Sequence, residues 1–209
     1  MWLVVGLGNP GKQYEKHRHN VGFMVTEALG ERLGADAYKE KFRARLARAK
    51  RGSEELALLM PQTFMNLSGE AVQQAAAFFK VPPTNVLVVH DELDLPFAEL
   101  RLKTGGGHAG HNGLRSIIGC LGSPDFHRLR VGVGRPPPGF RGEVADYVLS
   151  GFDATERAEL GGLLQSSVDA LVDVFDRGMV AATNRLNTKT APRSGAKAPG
   201  AVSPRGKPA

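Results

Sequence analysis

The chain has 209 residues, with 27 Lys and Arg against 21 Asp and Glu and a formal net charge of +6. That length suits one domain of about 150–200 residues, and a lone cysteine, Cys120, excludes an internal disulfide framework and a cysteine-only zinc site. The apolar share of 42% and charged share of 23% exclude a disordered or membrane-embedded chain, while the positive balance points to an anionic partner, nucleic acid first.

Residues 2–7 read as a buried strand that ends in the turn Gly8-Asn9-Pro10-Gly11. The apolar run Trp2-Leu3-Val4-Val5 is too short for a signal-peptide core and follows no basic region. Nothing reaches the roughly 18 consecutive apolar residues of a membrane span. With one cysteine and no export signal, a cytoplasmic location is expected. Val21 to Leu33 has helical spacing, with Asn20 as the expected N-cap. Residues 44–50 and 55–60 flank Arg51-Gly52-Ser53-Glu54 as a hairpin. Leu67 to Lys80 is a second helix closed by Pro82-Pro83, and Asn85 to His90 is the clearest central strand. Residues 100–103 and 126–133 alternate as strands around a Gly-rich loop and a third helix over 112–121. Asp153 to Glu156 has a capping-box pattern that opens a long apolar-striped helix ending at Gly178, and a short helix follows to about Leu186. The expected fold class is α/β: residues 1–187 as a single domain with a mixed, partly parallel sheet surrounded by helices.

Residues 188–209 are of different composition, rich in Pro, Ala, Gly and Ser, with five bases and no acid. Such a segment cannot bury enough apolar surface to offset its ordering entropy, so a disordered basic tail is expected. Taking those five from 27 leaves 22 bases against 21 acids, and a nearly neutral body.

Gly6-Leu-Gly8-Asn-Pro-Gly11 spells the G-x-G-x-x-G of a dinucleotide-binding loop, and with it an NAD(P)-dependent oxidoreductase. The next helical pattern starts only near Val21, and the acid expected about 20 residues on is Glu27 or Glu31, both inside a helix. A tight strand-to-loop turn presenting Asn9 fits better. The remaining polar clusters are Tyr14 with His17, His19 and Asn20; Phe64-Met65-Asn66; His90-Asp91-Glu92; and residues 105–112, which include His108, His111 and Asn112. No His-x-x-x-His on a helix, paired cysteines or carboxylate triad marks a metal site, and neutral amides dominate the set. No G-x-S-x-G elbow marks a serine nucleophile, and Cys120 falls on the apolar side of its helix. General-base chemistry remains: a histidine takes a proton from water, a carboxylate orients it, and amides stabilise an oxyanion. Spacing does not say which histidine meets Asp91.

GLGNPG at 6–11, Tyr14 with RHNVG at 18–22, FMNLSG at 64–69, HDELDLP at 90–96, GGGHAGHNGLRS at 105–116, FHRLRVGVGRP at 126–136 and ATNRL at 182–186 resemble bacterial peptidyl-tRNA hydrolase. The resemblance runs from Trp2 to about Asn187 with the motifs in family order. It implies hydrolysis of the ester that joins a peptide to the 3′ ribose of tRNA, by a monomer that needs no cofactor and no metal. In that reading His19 is the general base and Asp91 orients it. Asn66 binds the substrate carbonyl or its oxyanion, and Met65 lines the channel. Asn9 and Asn112 hold the peptide backbone and the terminal nucleotide, His111 supports the 3′ end, and Tyr14 contacts that end. Lys103 and Arg130 clamp a tRNA phosphate, although without the resemblance they read as outward residues of alternating strands. The rival reading is a non-catalytic RNA-binding relative, against which His19, Asp91 and Asn66 stand.

Overall fold

The computed structural model describes residues 1–189. The apolar run behind Met1 forms β1 (Trp2–Gly6), and a hairpin forms from β2 (Lys39–Lys41), β3 (Ala44–Arg51) and β4 (Glu54–Pro61). The central run forms β5 (Val86–Glu92), followed by β6 (Leu100–Thr104) and β7 (His127–Gly132). Six helices accompany them: α1 (Val21–Leu33), α2 (Ser68–Phe79), α3 (Asn112–Leu121), α4 (Val144–Val148), α5 (Ala154–Arg177) and α6 (Met179–Lys189).

One sheet runs in the order β2-β3-β4-β1-β5-β7-β6. The four strands β4, β1, β5 and β7 are mutually parallel, while β2, β3 and β6 run antiparallel to their neighbours. Leu3, Val5, Val86 and Val88 face one core with α2 and α3; Val4, Leu87 and Val89 face the other with α1, α5 and α6. Strands buried on both faces need no polar alternation, which is why β1 and β5 read as continuous apolar runs. On α1, Val21, Val25 and Leu29 are fully buried, each contributing about 1.5–3 kcal/mol. The expected α/β class with a mixed sheet enclosed by helices is the fold observed.

α1 has the expected bounds, but Asn20 does not cap it. Both its amide atoms are bonded to the backbone of Asn9, so a residue favoured as a cap joins two loops instead. The glycine motif serves helix packing: a Cβ on Gly6 would lie 2.4 Å from the Gly22 carbonyl oxygen, and one on Gly22 would lie 2.4 Å from that of Val89. Two single-turn 3-10 segments, Lys12–Tyr14 and Arg18–Asn20, intervene before α1. The first turn of α1 is packed directly on the motif, with the Phe23 N–H donating to the Leu7 carbonyl at 3.2 Å, and leaves no room there for a pyrophosphate.

The capping box forms with both arms, Glu156 N–H to Asp153 at 2.9 Å and Asp153 N–H to Glu156 at 2.8 Å. α6 continues to Lys189, so the expected boundary after Asn187 moves outward and Thr188 and Lys189 belong to the helix. The rest of the basic segment lies outside the described residues. Asn187 bonds both backbone groups of Leu102 at 3.0 and 3.1 Å, which blunts the edge strand β6. Two elements, β2 and α4, had no expectation from sequence. No helix among the described residues is long and apolar enough to cross a membrane.

Candidate active site

The parallel strands β1, β4 and β5 end at one edge of the sheet and deliver the polar residues there, where α/β sheets form their sites. Beyond β1 comes Asn9, beyond β4 come Met65 and Asn66, and β5 itself closes with His90, Asp91 and Glu92. His19 comes from the 3-10 turn before α1, and His111 and Asn112 from the start of α3. A cleft of about 870 Å³ opens over this edge, lined by Asn9, His19, Asn66, Asp91, His111 and Asn112 among others.

Hydrogen bonds fix the arrangement. His19 Nδ1 lies 2.8 Å from Asp91 Oδ1, and His111 Nε2 lies 3.1 Å from the same oxygen. Nδ1 of His111 accepts from the backbone N–H of Gly113 at 3.1 Å and of Leu114 at 3.4 Å. That nitrogen is therefore unprotonated, and Nε2–H donates to Asp91. Ionised Asp91 is an acceptor only, so His19 Nδ1–H donates as well, and the lone pair of His19 Nε2 is left for other work. Side-chain exposure is 12% for His19 and 3% for Asp91, so water screens the pair little.

Burial alone would raise the Asp91 pKa, but the His19 and His111 rings outweigh it and hold the carboxyl well below its usual range. Burial pulls His19 down, yet the charge and hydrogen bond of Asp91 leave it above 6.5. His90, beside them, is pushed down to about 3 by burial and then by His111. Its Nδ1 lies 2.7 Å from the Asp91 carbonyl oxygen, and the neutral ring donates there.

The amides form a second network. Asn9 N–H donates to Asn20 Oδ1 at 3.0 Å, Asn20 Nδ2 donates to the Asn9 carbonyl at 2.9 Å, and Met65 N–H donates to Asn9 Oδ1 at 2.8 Å. Asn9 is 8% exposed and lines the cleft. Asn66 and Asn112 are exposed at the rim, whereas Met65 is buried.

Three of the expected site residues stand outside this cleft lining. Tyr14 is half-buried, edge-on to His17 with ring centroids 5.4 Å apart. Lys103 is exposed on β6, and Arg130 on β7 donates through Nε to Glu92 at 2.8 Å. Lys103 and Arg130 share one face of the sheet, because Lys103 pairs with Arg128, which stands two residues from Arg130 on β7.

Arg18 and Arg128 were not anticipated from sequence, and buried Asn20 was expected as a helix cap and a member of a polar cluster, not as the partner of Asn9. Asn20 orders Asn9. Arg18, 5% exposed, donates to Ser150 Oγ at 2.6 Å, to the Gly151 carbonyl at 2.7 Å and to Glu156 at 2.6 Å, with its guanidinium 4.2 Å from the Tyr147 ring centroid. It thereby ties the segment of His19 to α4, which supplies Val144, Ala145 and Val148 to the cleft wall. Arg128 holds the glycine loop before α3. The signal available for Arg18 and Asn20 was their place either side of His19 in a stretch dense in polar residues.

His19, Asp91 and His111 also place one ligand atom each within 4.8 Å of one another, as a metal ion would require. The chemistry of the set fits a cation poorly. Asp91 Oδ1 already accepts from both rings, and His111 spends both ring nitrogens, so a metal would have to displace those bonds.

The sequence matches the model of the family described as Peptidyl-tRNA hydrolase over residues 3–194. The chain belongs to the peptidyl-tRNA hydrolase family. It is 59% identical over 192 residues to the peptidyl-tRNA hydrolase of Sorangium cellulosum (strain So ce56), covering 92% of this chain and 86% of that protein. To that of Nocardia farcinica (strain IFM 10152) it is 50% identical over 186 residues, 88% of this chain and 95% of that one. The fold is similar to the crystal structure of peptidyl-tRNA hydrolase from Acinetobacter baumannii, with a TM-score of 0.81 and 38% identity over 90% of this chain and 94% of that chain. The peptidyl-tRNA hydrolase family is thus shown by sequence and by fold together.

Proposed function

We propose that this peptidyl-tRNA hydrolase cleaves its ester with a water molecule that His19 Nε2 deprotonates. The water oxygen attacks the ester carbonyl carbon and the electron pair moves to the carbonyl oxygen. When the tetrahedral intermediate collapses, the bond to the ribose oxygen breaks and the proton on His19 passes to that oxygen. Free tRNA and the peptide's carboxylic acid result, and the acid loses its proton to solvent to leave the carboxylate. The observation that carries the reading is the 2.8 Å contact of His19 Nδ1 with Asp91, which fixes the tautomer and leaves Nε2 basic.

Asp91 stabilises the imidazolium as it forms, and His111, donating to the same carboxylate oxygen, holds Asp91 in place. In this arrangement His111 acts through Asp91 rather than on the nucleotide directly. The amide groups of Asn9 and Asn66 serve as donors for the substrate carbonyl and its oxyanion, with Met65 as the apolar floor and Asn112 at the nucleotide side of the rim. Lys103 and Arg130 take a phosphate of the tRNA, which positions the substrate without reading it. Tyr14 offers a ring to an unstacked terminal base.

The site is complete within one chain, which supports a monomer, and its hydrogen bonds support a reaction without a metal. A reducing cytoplasm suits the free, half-buried thiol of Cys120. The test is turnover of an N-acylated aminoacyl-tRNA alongside tRNA binding. His19→Ala should lose at least about a hundredfold in kcat and still bind tRNA. Undiminished turnover in that variant would remove His19 from the mechanism.

A further inference from the structure

Arg128 on β7 is 3% exposed, yet its guanidinium is not held by a carboxylate among the described residues. Glu92, the acid that acts on it through charge, is bonded to Arg130 instead. A buried cation needs its N–H groups satisfied by other means. Here Nη1 donates to the Gly107 carbonyl at 2.6 Å and Nη2 to the Gly106 carbonyl, Nε is buried without a hydrogen-bond partner among the described residues, and the guanidinium carbon sits 4.7 Å from the Phe126 ring centroid. A planar fork matches two successive carbonyls, as a single ammonium does not.

The segment it holds is hard to order. Gly105, Gly106 and Gly107 follow one another, the first two at φ values of 68° and 93°. Consecutive glycines lose the most backbone freedom on folding. This segment joins β6 to the turn of His108–Gly110, which leads straight to His111 and Asn112. A hinge of three unrestrained glycines there would let the whole cleft rim drift away from Asp91.

We infer that Arg128 is a positioning residue, whose guanidinium fork pins the Gly106–Gly107 backbone and so sets His111 and Asn112 at the cleft. The inference rests on the reading above that these two residues serve the site. Arg128 touches no substrate in it; the residue acts through the loop.

Hydrogen exchange over residues 105–111 and steady-state kinetics on an N-acylated aminoacyl-tRNA test it in the full chain. Arg128→Gln should speed exchange of the segment roughly tenfold, as expected when bonds that close a local opening are lost. It should raise KM several-fold through Asn112 and lower kcat several-fold through His111, which holds Asp91. Arg128→Lys, which keeps the charge and most of the volume, should rescue exchange only in part, and it serves as the comparison if the Gln variant does not fold. A Cβ on Gly107 meets nothing within 4 Å, and Gly107 is not at positive φ. Adding Gly107→Ala to Arg128→Gln should therefore stiffen the segment and recover part of KM. Wild-type exchange in both Arg128 variants overturns the inference. Faster exchange with both KM and kcat unchanged would show that the segment does not set His111 and Asn112 at the cleft, and overturns that half of the inference.

Discussion

At the scale of single residues, the hydrogen-bond partner decides what each buried histidine does. His19 and His90 both approach Asp91, yet one is raised above its ordinary pKa and the other is lowered to about 3. The difference is the partner: His19 bonds the carboxylate itself, and His90 bonds only a backbone carbonyl. His90 stays neutral in the folded chain while the unfolded chain protonates it below about pH 6.5. Stability from His90 is therefore lost as pH falls from about 6.5 towards 3, at up to about 1.4 kcal/mol per pH unit. The depressed Asp91 adds to this loss below its ordinary value of 3.8, whereas the raised His19 adds stability only as pH falls towards 6.5 and changes nothing below it. His90→Asn, which keeps a donor for the carbonyl, should flatten the fall of the unfolding midpoint between pH 6.5 and 4. Parallel pH curves for the two proteins would show that His90 is not the group responsible. In the sequence, the residue types at the site were legible because amides, histidines and one acid gather at loop junctions. Which histidine meets Asp91 was not, since the partners lie 72 residues apart, and only the family resemblance paired them.

Among the elements, those with their own periodicity were legible and those made by tertiary contacts were not. α1 carries its apolar stripe in sequence and has the expected bounds. α4 has five residues, follows a Pro-rich stretch, and is held by distant groups: Arg18 from one side and the Tyr147 hydroxyl, bonded to the Val133 carbonyl at 3.0 Å, from the other. β2 is three exposed residues on the sheet edge, with no pattern to read. The Asn20 cap fails for the same reason as α4 was missed, because a contact with a remote loop wins over a local preference. Arg18 and Glu156 form a pair 5% and 12% exposed that joins α4 and α5 to the His19 segment. Removing one partner of such a pair leaves the other charge buried. Glu156→Ala, which also breaks an arm of the capping box, should cost about 3 kcal/mol in urea unfolding and raise KM as the α4 wall loosens. A loss below about 0.5 kcal/mol, the level of an exposed pair, would mean that Arg18 does not anchor this wall.

Across the whole molecule, the opening charge of +6 is a weak guide to function. Five of the bases lie in residues 188–209, and the remainder of the chain is close to neutral. The local arrangement is more informative: Arg101 pairs with Arg130 and Lys103 with Arg128 across β6 and β7, the two strands beyond β5. Lys103→Ala should weaken tRNA binding about equally for all sequences and reduce the slope of log binding constant against log salt by about one. An unchanged slope would take Lys103 out of the phosphate contact. The strand order β2-β3-β4-β1-β5-β7-β6 was not in the sequence pattern, because periodicity reports burial and not which strand lies beside which. That order nevertheless makes the site, since it sets β1, β4 and β5 side by side and brings their ends under one cleft. The central claim is that this assembly makes His19 a base through Asp91, and the pH dependence of kcat/KM tests it most directly. The acid limb should lie above the ordinary histidine value of 6.5 in the wild-type enzyme. In Asp91→Asn it should move to lower pH, because burial then acts on His19 unopposed, while the plateau rate falls. A limb at the same pH in both proteins would contradict the account.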